Sequence, residues 1–397
     1  MSKPFRIGLV MQGGSGWMGG VEYIKNIVFA LASLPIEIKK TFEIVLICSK
    51  EIDPALYDSI IPEISDISYV DSLNTFQKIS AKLEMFIFSE YNNHFLLIRH
   101  LRKSSIRKLD FLYPYFSLRN TDYTGAIWIP DFQHKYLPSF FSKKDIIFRD
   151  RYFSYLANNA STIVVSSESA KKDFQKFYPE SKSELKILSF TTFPLENWYM
   201  ENSSNLLLKY NLPSRFLLVS NQFWQHKNHK VIFNAASILK EKGITLNIVC
   251  TGNLHDIRNL AYSEQVQKMI KDLGLSEQVY LLGLIPKIDQ IQLVRSALAI
   301  IQPSLFEGWS TVVEDARCFG KRIALSNIPV HLEQNPPKSK FFDPDKPKDL
   351  AEILLQWWNE IQSGYDQEHE TIAYGESLSK AQSFGYKFLE LAKQLQN

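Results

Sequence analysis

Long apolar runs are missing from this chain of 397 residues. No stretch of about 18 consecutive apolar residues occurs, which excludes a helix built to span a bilayer. Cysteine is scarce too. Cys48, Cys250 and Cys318 each lie among apolar neighbours without metal-ligand spacing, as expected of buried thiols in a reducing compartment. Charge of one sign is also lacking: 45 Lys and Arg stand against 42 Asp and Glu, for a net charge of +3. Such a balance offers no support for a nucleic-acid partner. There is no low-complexity tract or internal repeat beyond a shared α/β rhythm in the two halves, and no signal-peptide pattern. Lys3 and Arg6 lead directly into Ile7-Gly8-Leu9-Val10, so a cytoplasmic location is expected.

What is present is a folded composition, 45% apolar and 22% charged, in a chain long enough for two domains. One stretch stands out. Leu298-Ala299-Ile300-Ile301 reads as a buried strand, and Pro303-Ser304-Leu305-Phe306-Glu307-Gly308-Trp309-Ser310-Thr311 follows as a loop. Val312, Ala316 and Phe319 then recur at helical spacing and Gly320 closes the pattern. Glu307 and Glu314 therefore bracket a loop and first helical turn at the carboxyl end of a strand, where open parallel sheets bind ligands. Thr311-Val312-Val313-Glu314 also reads as a capping box, which would account for Glu314 structurally.

The first half alternates strand and helix. Phe5 to Met11 is a strand, followed by the glycine-rich Gln12 to Gly20 and a helix carrying Val21, Ile24, Ile27, Val28 and Leu31. The glycine spacing does not match the dinucleotide fingerprint. Further strands are expected at 42–48, 67–70, 109–114, 126–130, 161–166 and 185–190, with helices at 143–159 and 167–177. Segment 83–108 is amphipathic and ends in a cluster of Arg, Lys and His. It admits two readings, a core-facing helix or a peripheral contact with an anionic membrane surface. His134 follows the strand 126–130 in a loop with Asp131, Gln133 and Lys135, and its imidazole can serve a sugar hydroxyl or simply pack.

The stretch 191–213 is polar and irregular and reads as a linker. Strands are then expected at 215–220, 245–250 (running into Thr251-Gly252), 279–283 and 322–326, and helices at 231–242, 287–296 and from 348 onward, with 327–333 a loop. Lys227, in the loop before a helix N-terminus, is placed to meet a diphosphate. His226 and His229 lack a third ligand for zinc, and Asp343-Pro344-Asp345 falls in a proline-rich turn, so no metal site is expected.

Four motifs in order carry a resemblance over nearly the whole chain. They are Trp17-x-Gly19-Gly20-x-x-Tyr23, Trp128-Ile129-Pro130-Asp131-Phe132-Gln133-His134, Phe223-Trp224-x-His226-Lys227-Asn228 and Phe306-Glu307-Gly308-Trp309-Ser310-Thr311-Val312-Val313-Glu314-Asp315. Together they resemble the family 4 glycosyltransferases, retaining enzymes of the GT-B fold. The resemblance implies an α/β chain of two Rossmann-like domains facing a cleft: an acceptor-side domain over 1–195, completed by a C-terminal helix at 377–397, and a nucleotide-sugar-binding domain over 196–376. It implies transfer of a sugar from a UDP- or GDP-linked donor to a hydroxyl of a glycan or lipid-linked glycan, in surface polysaccharide or glycoconjugate synthesis, with no cofactor and no metal. Glu307 would approach the donor sugar, Lys227 the diphosphate and Glu314 the ribose, with His134 reaching the transferred sugar. Gly19 and Gly20 would shape the wall of the first domain, and Gln222, Gly252, Gly308, Trp309, Ser310 and Thr311 complete the donor set. Two positions depart from the family. Six residues separate Glu307 from Glu314 instead of the usual seven, and Gln222 stands where an arginine normally binds phosphate, which weakens diphosphate binding unless another cation compensates, Lys230 and Arg258 being the candidates. A sugar- or nucleotide-binding subunit without turnover, and an NAD-dependent oxidoreductase, are the alternatives.

Overall fold

The structure, a computed structural model, describes residues 3–14, 16–70, 109–115, 124–200, 204–256, 258–361, 364 and 366–396. Segment 83–108 lies outside them. Among the described residues no helix is long and apolar enough to cross a membrane. The chain forms two compact units. The first comprises 1–132, 142–193 and 379–397; the second comprises 133–141 and 194–378.

In the first unit, β1 (Phe5–Val10), β2 (Phe42–Ser49), β3 (Asp66–Val70) and β4 (Phe111–Tyr113) form a parallel sheet in the order β3-β2-β1-β4. β5 (Ile127–Ile129), β6 (Thr162–Val165) and β7 (Glu184–Ile187) form a second parallel array. Amides of Leu112 and Tyr115 donate to Thr124 and Ala126 at 2.9 and 2.7 Å, joining the two arrays. Helix Lys143–Asn159 starts where Ser142 Oγ accepts from the Asp145 amide at 3.1 Å, and Glu168–Phe177 where Ser167 Oγ accepts from Ala170 at 3.0 Å. Each hydroxyl satisfies one orphan donor of a first turn.

Gly13 before helix Met18–Ala32 and Gly20 in its first turn have a packing explanation. Gly13 has φ of 73°, and a Cβ there would meet the Trp17 carbonyl oxygen at 2.2 Å. A Cβ on Gly20 would lie 3.0 Å from the Trp17 ring. Trp17 stacks on Trp128 at 5.9 Å, and Trp128 on Tyr23 at 3.9 Å. Gly20 thus lets the Trp17 indole lie close over the start of the helix, and Gly13 lets the preceding turn close on the Trp17 carbonyl.

The second unit holds β8 (Leu217–Ser220), β9 (Ile248–Thr251), β10 (Val279–Gly283), β11 (Ala299–Gln302), β12 (Ile323–Ser326) and β13 (Ser339–Phe342) in one parallel sheet, ordered β10-β9-β8-β11-β12-β13. This is the doubly wound order, which reverses between β8 and β11. β8, β9, β11 and β12 are buried along their whole length, as sheets covered on both faces require. Alternation sorts their side chains. Leu217, Val219, Ala299 and Ile301 join Ile232, Leu239 and Trp357 on one face, while Leu218 and Ile300 join Ile291, Val313 and Phe319 on the other.

Helices Lys143–Asn159 and Lys287–Ser296 match their expected bounds. The stretch 191–213 is not wholly irregular but carries helices Asn197–Met200 and Ser204–Lys209, and two further elements depart from expectation. Segment 327–333 contains helix Pro329–Gln334, whose proline occupies the first turn, where its missing N–H costs nothing. The last helix begins at Gln367 and runs to Gln394, ten residues earlier than 377. Its root is fixed in the second unit, where Glu370 pairs with the buried Arg295 at 2.9 Å. Its distal part belongs to the first unit, with Gly385 against the Ala30 carbonyl and Phe388 edge-on to Tyr113 at 5.3 Å.

Candidate active site

The loops leaving β8 and β11 meet where the strand order reverses. Gln302, at the end of β11, accepts from Asn221 Nδ2 at 2.7 Å, and the Leu305 amide donates to the His226 carbonyl at 2.8 Å. These bonds bring Lys227 Nζ to 2.5 Å from Glu307 Oε1. The same carboxylate oxygen accepts from Ser304 Oγ at 2.7 Å and Gln302 Nε2 at 3.0 Å. Oε2 has no hydrogen-bond partner among the described residues, so it can accept from an incoming hydroxyl. The third loop, after β9, presses close: Gly252 has φ of 119°, and a Cβ there would meet the Asn221 carbonyl oxygen at 2.3 Å. Gln222 is half-buried beside it.

Glu314 is held differently from expectation. The helix runs Thr311–Cys318 with Ser310 as its N-cap residue and no side-chain cap bond. Thr311 is the first helical residue, so Thr311-Val312-Val313-Glu314 is not a capping box. The Ser310 hydroxyl instead accepts from Gln302 at 3.1 Å. Gln334 takes over the loop: its Oε1 accepts from the Ser310 amide and its Nε2 donates to the Ser310 carbonyl, both at 3.1 Å. Nε2 also donates to Glu314 Oε1 at 2.9 Å, and Arg317 Nε donates to Glu314 Oε2 at 3.2 Å. Glu314 is 3% exposed, and both of its oxygens are engaged within the protein. The shortened loop is thus braced by a glutamine from helix Pro329–Gln334, which overlaps the expected loop 327–333. Gly308 and Trp309 are half-buried between these two carboxylates in the chain.

His331, from the same helix, sits behind the loop. Its Nδ1 is 3.0 Å from the Ser326 carbonyl, which requires the proton on that nitrogen. Ser326 Oγ in turn donates to the Ser304 carbonyl at 2.5 Å. Burial lowers the His331 pKa to about 4, and burial together with the charge of Lys227 lowers that of His229 to about 3. Both imidazoles are neutral at pH 7. Below about 6.5 the unfolded chain takes up protons at these residues that the native state refuses, so stability falls as pH drops from 6.5 toward 4. The expected slope is up to about 1.4 kcal/mol per pH unit for each histidine. Urea denaturation at pH 7 and pH 5 checks this. His331→Gln should show a smaller difference between the two pH values, and an unchanged difference would refute the assignment.

His134 lies on a single helical turn, Gln133–Tyr136, rather than in a loop, and is 1% exposed. Its segment, 133–141, packs with the second unit, although the expected domain division at 195 assigns it to the first. Tyr136 stacks on Phe306 at 5.3 Å, next to Glu307, and Arg258 Nη1 donates to Gln133 Oε1 at 3.0 Å. Gly19 and Gly20 belong to the first unit. Asn228 Nδ2 donates to the Pro344 carbonyl at 3.0 Å, and the Asp345 amide to Asp343 Oδ1 at 3.0 Å, so the Asp343-Pro344-Asp345 turn has a structural use. Lys230 is exposed, with its ammonium 5.6 Å from the centre of the Tyr262 ring. Gln302, Ser304, Arg317, Gln334 and His331 were missed from the sequence. A glutamine ending a buried apolar strand was the one available signal, since a buried amide needs partners.

The α/β fold with two Rossmann-like units is that of the GT-B glycosyltransferases, and the site sits at a sheet switch point within it. Residues 208–376 match the family model of the glycosyl transferases, group 1. No curated protein matches the chain by sequence. Among solved structures, HepE from Anabaena, in complex with UDP and glucose, is similar with a TM-score of 0.65 at 15% identity, over 98% of this chain and 100% of that one. Sucrose-phosphate synthase from Thermosynechococcus elongatus gives a TM-score of 0.64 at 13% identity, covering 98% of this chain and 99% of that one. A UDP-forming trehalose-phosphate synthase from Burkholderia xenovorans gives 0.67 at 11% identity, covering 100% of each.

Proposed function

We propose that the chain is a retaining glycosyltransferase that moves a sugar from a UDP- or GDP-linked donor to a hydroxyl of a glycan or lipid-linked glycan. The observation carrying this reading is the Lys227–Glu307 pair at the switch point of the unit that matches the group 1 glycosyl transferases. The crystal structures of HepE with UDP and with UDP-glucose, on the same fold, support a nucleotide-sugar donor. In the reaction, the bond from the anomeric carbon to the diphosphate oxygen breaks as the acceptor oxygen bonds to the same face. The acceptor proton passes to the departing phosphate oxygen. Lys227, at the start of helix His229–Glu241, supplies positive charge to the diphosphate where a metal ion would otherwise serve. Glu307 orients the sugar through its hydroxyls and forms no covalent bond to it. His134 reaches the transferred sugar.

The proposed setting is surface polysaccharide or glycoconjugate synthesis in the cytoplasm, with 83–108 meeting the inner membrane face. A thermal-shift series with UDP, GDP and their sugars selects the donor, because a ligand that binds only the native state raises the melting temperature. NMR of the product should then show the donor's anomeric configuration retained. An inverted product would exclude this mechanism.

A further inference from the structure

We infer that Arg258 is a positioning residue that fastens the turn bearing His134 to the loop bearing Lys227. The inference rests on the transfer reading above. Its guanidinium carbon lies 4.8 Å from the centre of the Trp224 ring and 5.3 Å from that of Phe141. Nε donates to Asp256 Oδ1 at 3.2 Å, Nη1 to Gln133 Oε1 at 3.0 Å and Nη2 to His226 Nδ1 at 3.3 Å. A guanidinium can only donate, so His226 accepts through Nδ1 and keeps its proton on Nε2. Asp256, 2% exposed, balances the charge and also accepts the Gln225 amide at 3.2 Å.

The connectivity gives these contacts their meaning. Trp224 and His226 lie three residues and one residue before Lys227, and Gln133 immediately precedes His134. One side chain therefore fixes two loops that arrive from distant parts of the sequence. Tyr136 stacked on Phe306 is a second fastening beside Glu307. The arrangement needs a flat fork with several donors, which lysine cannot replace. It also bears on the question raised by Gln222. Three of the five guanidinium N–H groups of Arg258 donate to protein acceptors, one from each nitrogen, which makes it a brace between loops in the first place.

The test compares Arg258→Lys, Arg258→Ala and Gln133→Ala with the wild-type full-length chain. Gln133→Ala cuts the same bond from the other side and keeps the test available if the alanine variant at 258 fails to fold. Amide hydrogen exchange over 133–141 should quicken by about tenfold or more in each. Calorimetric affinity for UDP and GDP should change by less than about threefold, and kcat should fall about tenfold with donor KM little altered. Unchanged exchange over 133–141 overturns the inference. So does a tenfold loss of diphosphate affinity, which would make Arg258 a ligand of the leaving group. A wild-type chain that transfers and hydrolyses nothing, yet shows the exchange response, rejects the transfer reading and leaves the brace standing.

Discussion

Lys227→Ala is expected to lower transfer about 100- to 1000-fold, the usual cost of removing one fixed charge from a developing anion. The loss should fall mainly on kcat, because charge on the diphosphate grows as the sugar leaves. A second consequence comes from the 2.5 Å contact with Glu307, which loses its cationic partner and keeps only the Ser304 and Gln302 donors on Oε1. Glu307→Gln should cripple turnover comparably, by removing the negative charge that holds Lys227 in place. Residues in direct contact are not additive, so the double variant should lose less than the product of the single losses. Steady-state rates with the donor chosen by thermal shift, alongside unchanged circular dichroism, check this set. Normal turnover in either single variant would remove these residues from the site.

The largest loss of stability is expected at Glu370, far in sequence from the site loops. Its carboxylate meets Arg295 Nε and Nη2 at 3.0 and 2.9 Å, and these side chains are 5% and 3% exposed as residues. Arg295 Nη1 continues to the Trp198 carbonyl and Gln292 Oε1, each at 3.0 Å. Lys321 donates to the Arg295 carbonyl at 2.9 Å, and burial lowers its pKa to about 8. Glu370→Ala would leave a buried guanidinium and a nearby buried amine without their carboxylate, at a cost of about 3–5 kcal/mol. Urea denaturation should show a lower midpoint, and Lys321 should lose its proton at a lower pH still. An unfolding free energy within about 0.5 kcal/mol of wild type would mean that water reaches the network and screens it. The pair also secures the first turn of helix Gln367–Gln394 to the unit holding the site, so proteolysis near residue 366 should accelerate in the same variant.

Much of this architecture was legible because it depends on local pattern. The apolar runs of β8, β9, β11 and β12 announce strands buried on both faces, and helix Lys287–Ser296 shows its bounds through Pro286 before it and the apolar strand after it. Lys227 and Glu307 could be chosen because each falls in a loop directly after a buried strand, in a motif order that resembles a known family. What failed had a non-local cause. Thr311 to Glu314 has the letters of a capping box, yet Ser310 occupies the cap and its hydroxyl is taken by Gln302. Propensity could not reveal that Gln334, twenty positions beyond Glu314, would span the Ser310 backbone.

The sequence by itself determined the alternation of strands and helices, the doubly wound class, and the two side chains most exposed to chemistry. Those follow from hydrophobic period and from punctuation by proline and glycine, which act over a few residues. Only the tertiary structure decided which carboxylate keeps an oxygen open, that both oxygens of Glu314 are engaged, and that the turn with His134 is fastened through Arg258. Each depends on hydrogen bonds between residues far apart in the chain, such as Gln133 with Arg258. No local pattern encodes such pairings, because their partners leave different strands: Gln133 follows β5 and Arg258 follows β9, while Glu314 follows β11 and Gln334 follows β12.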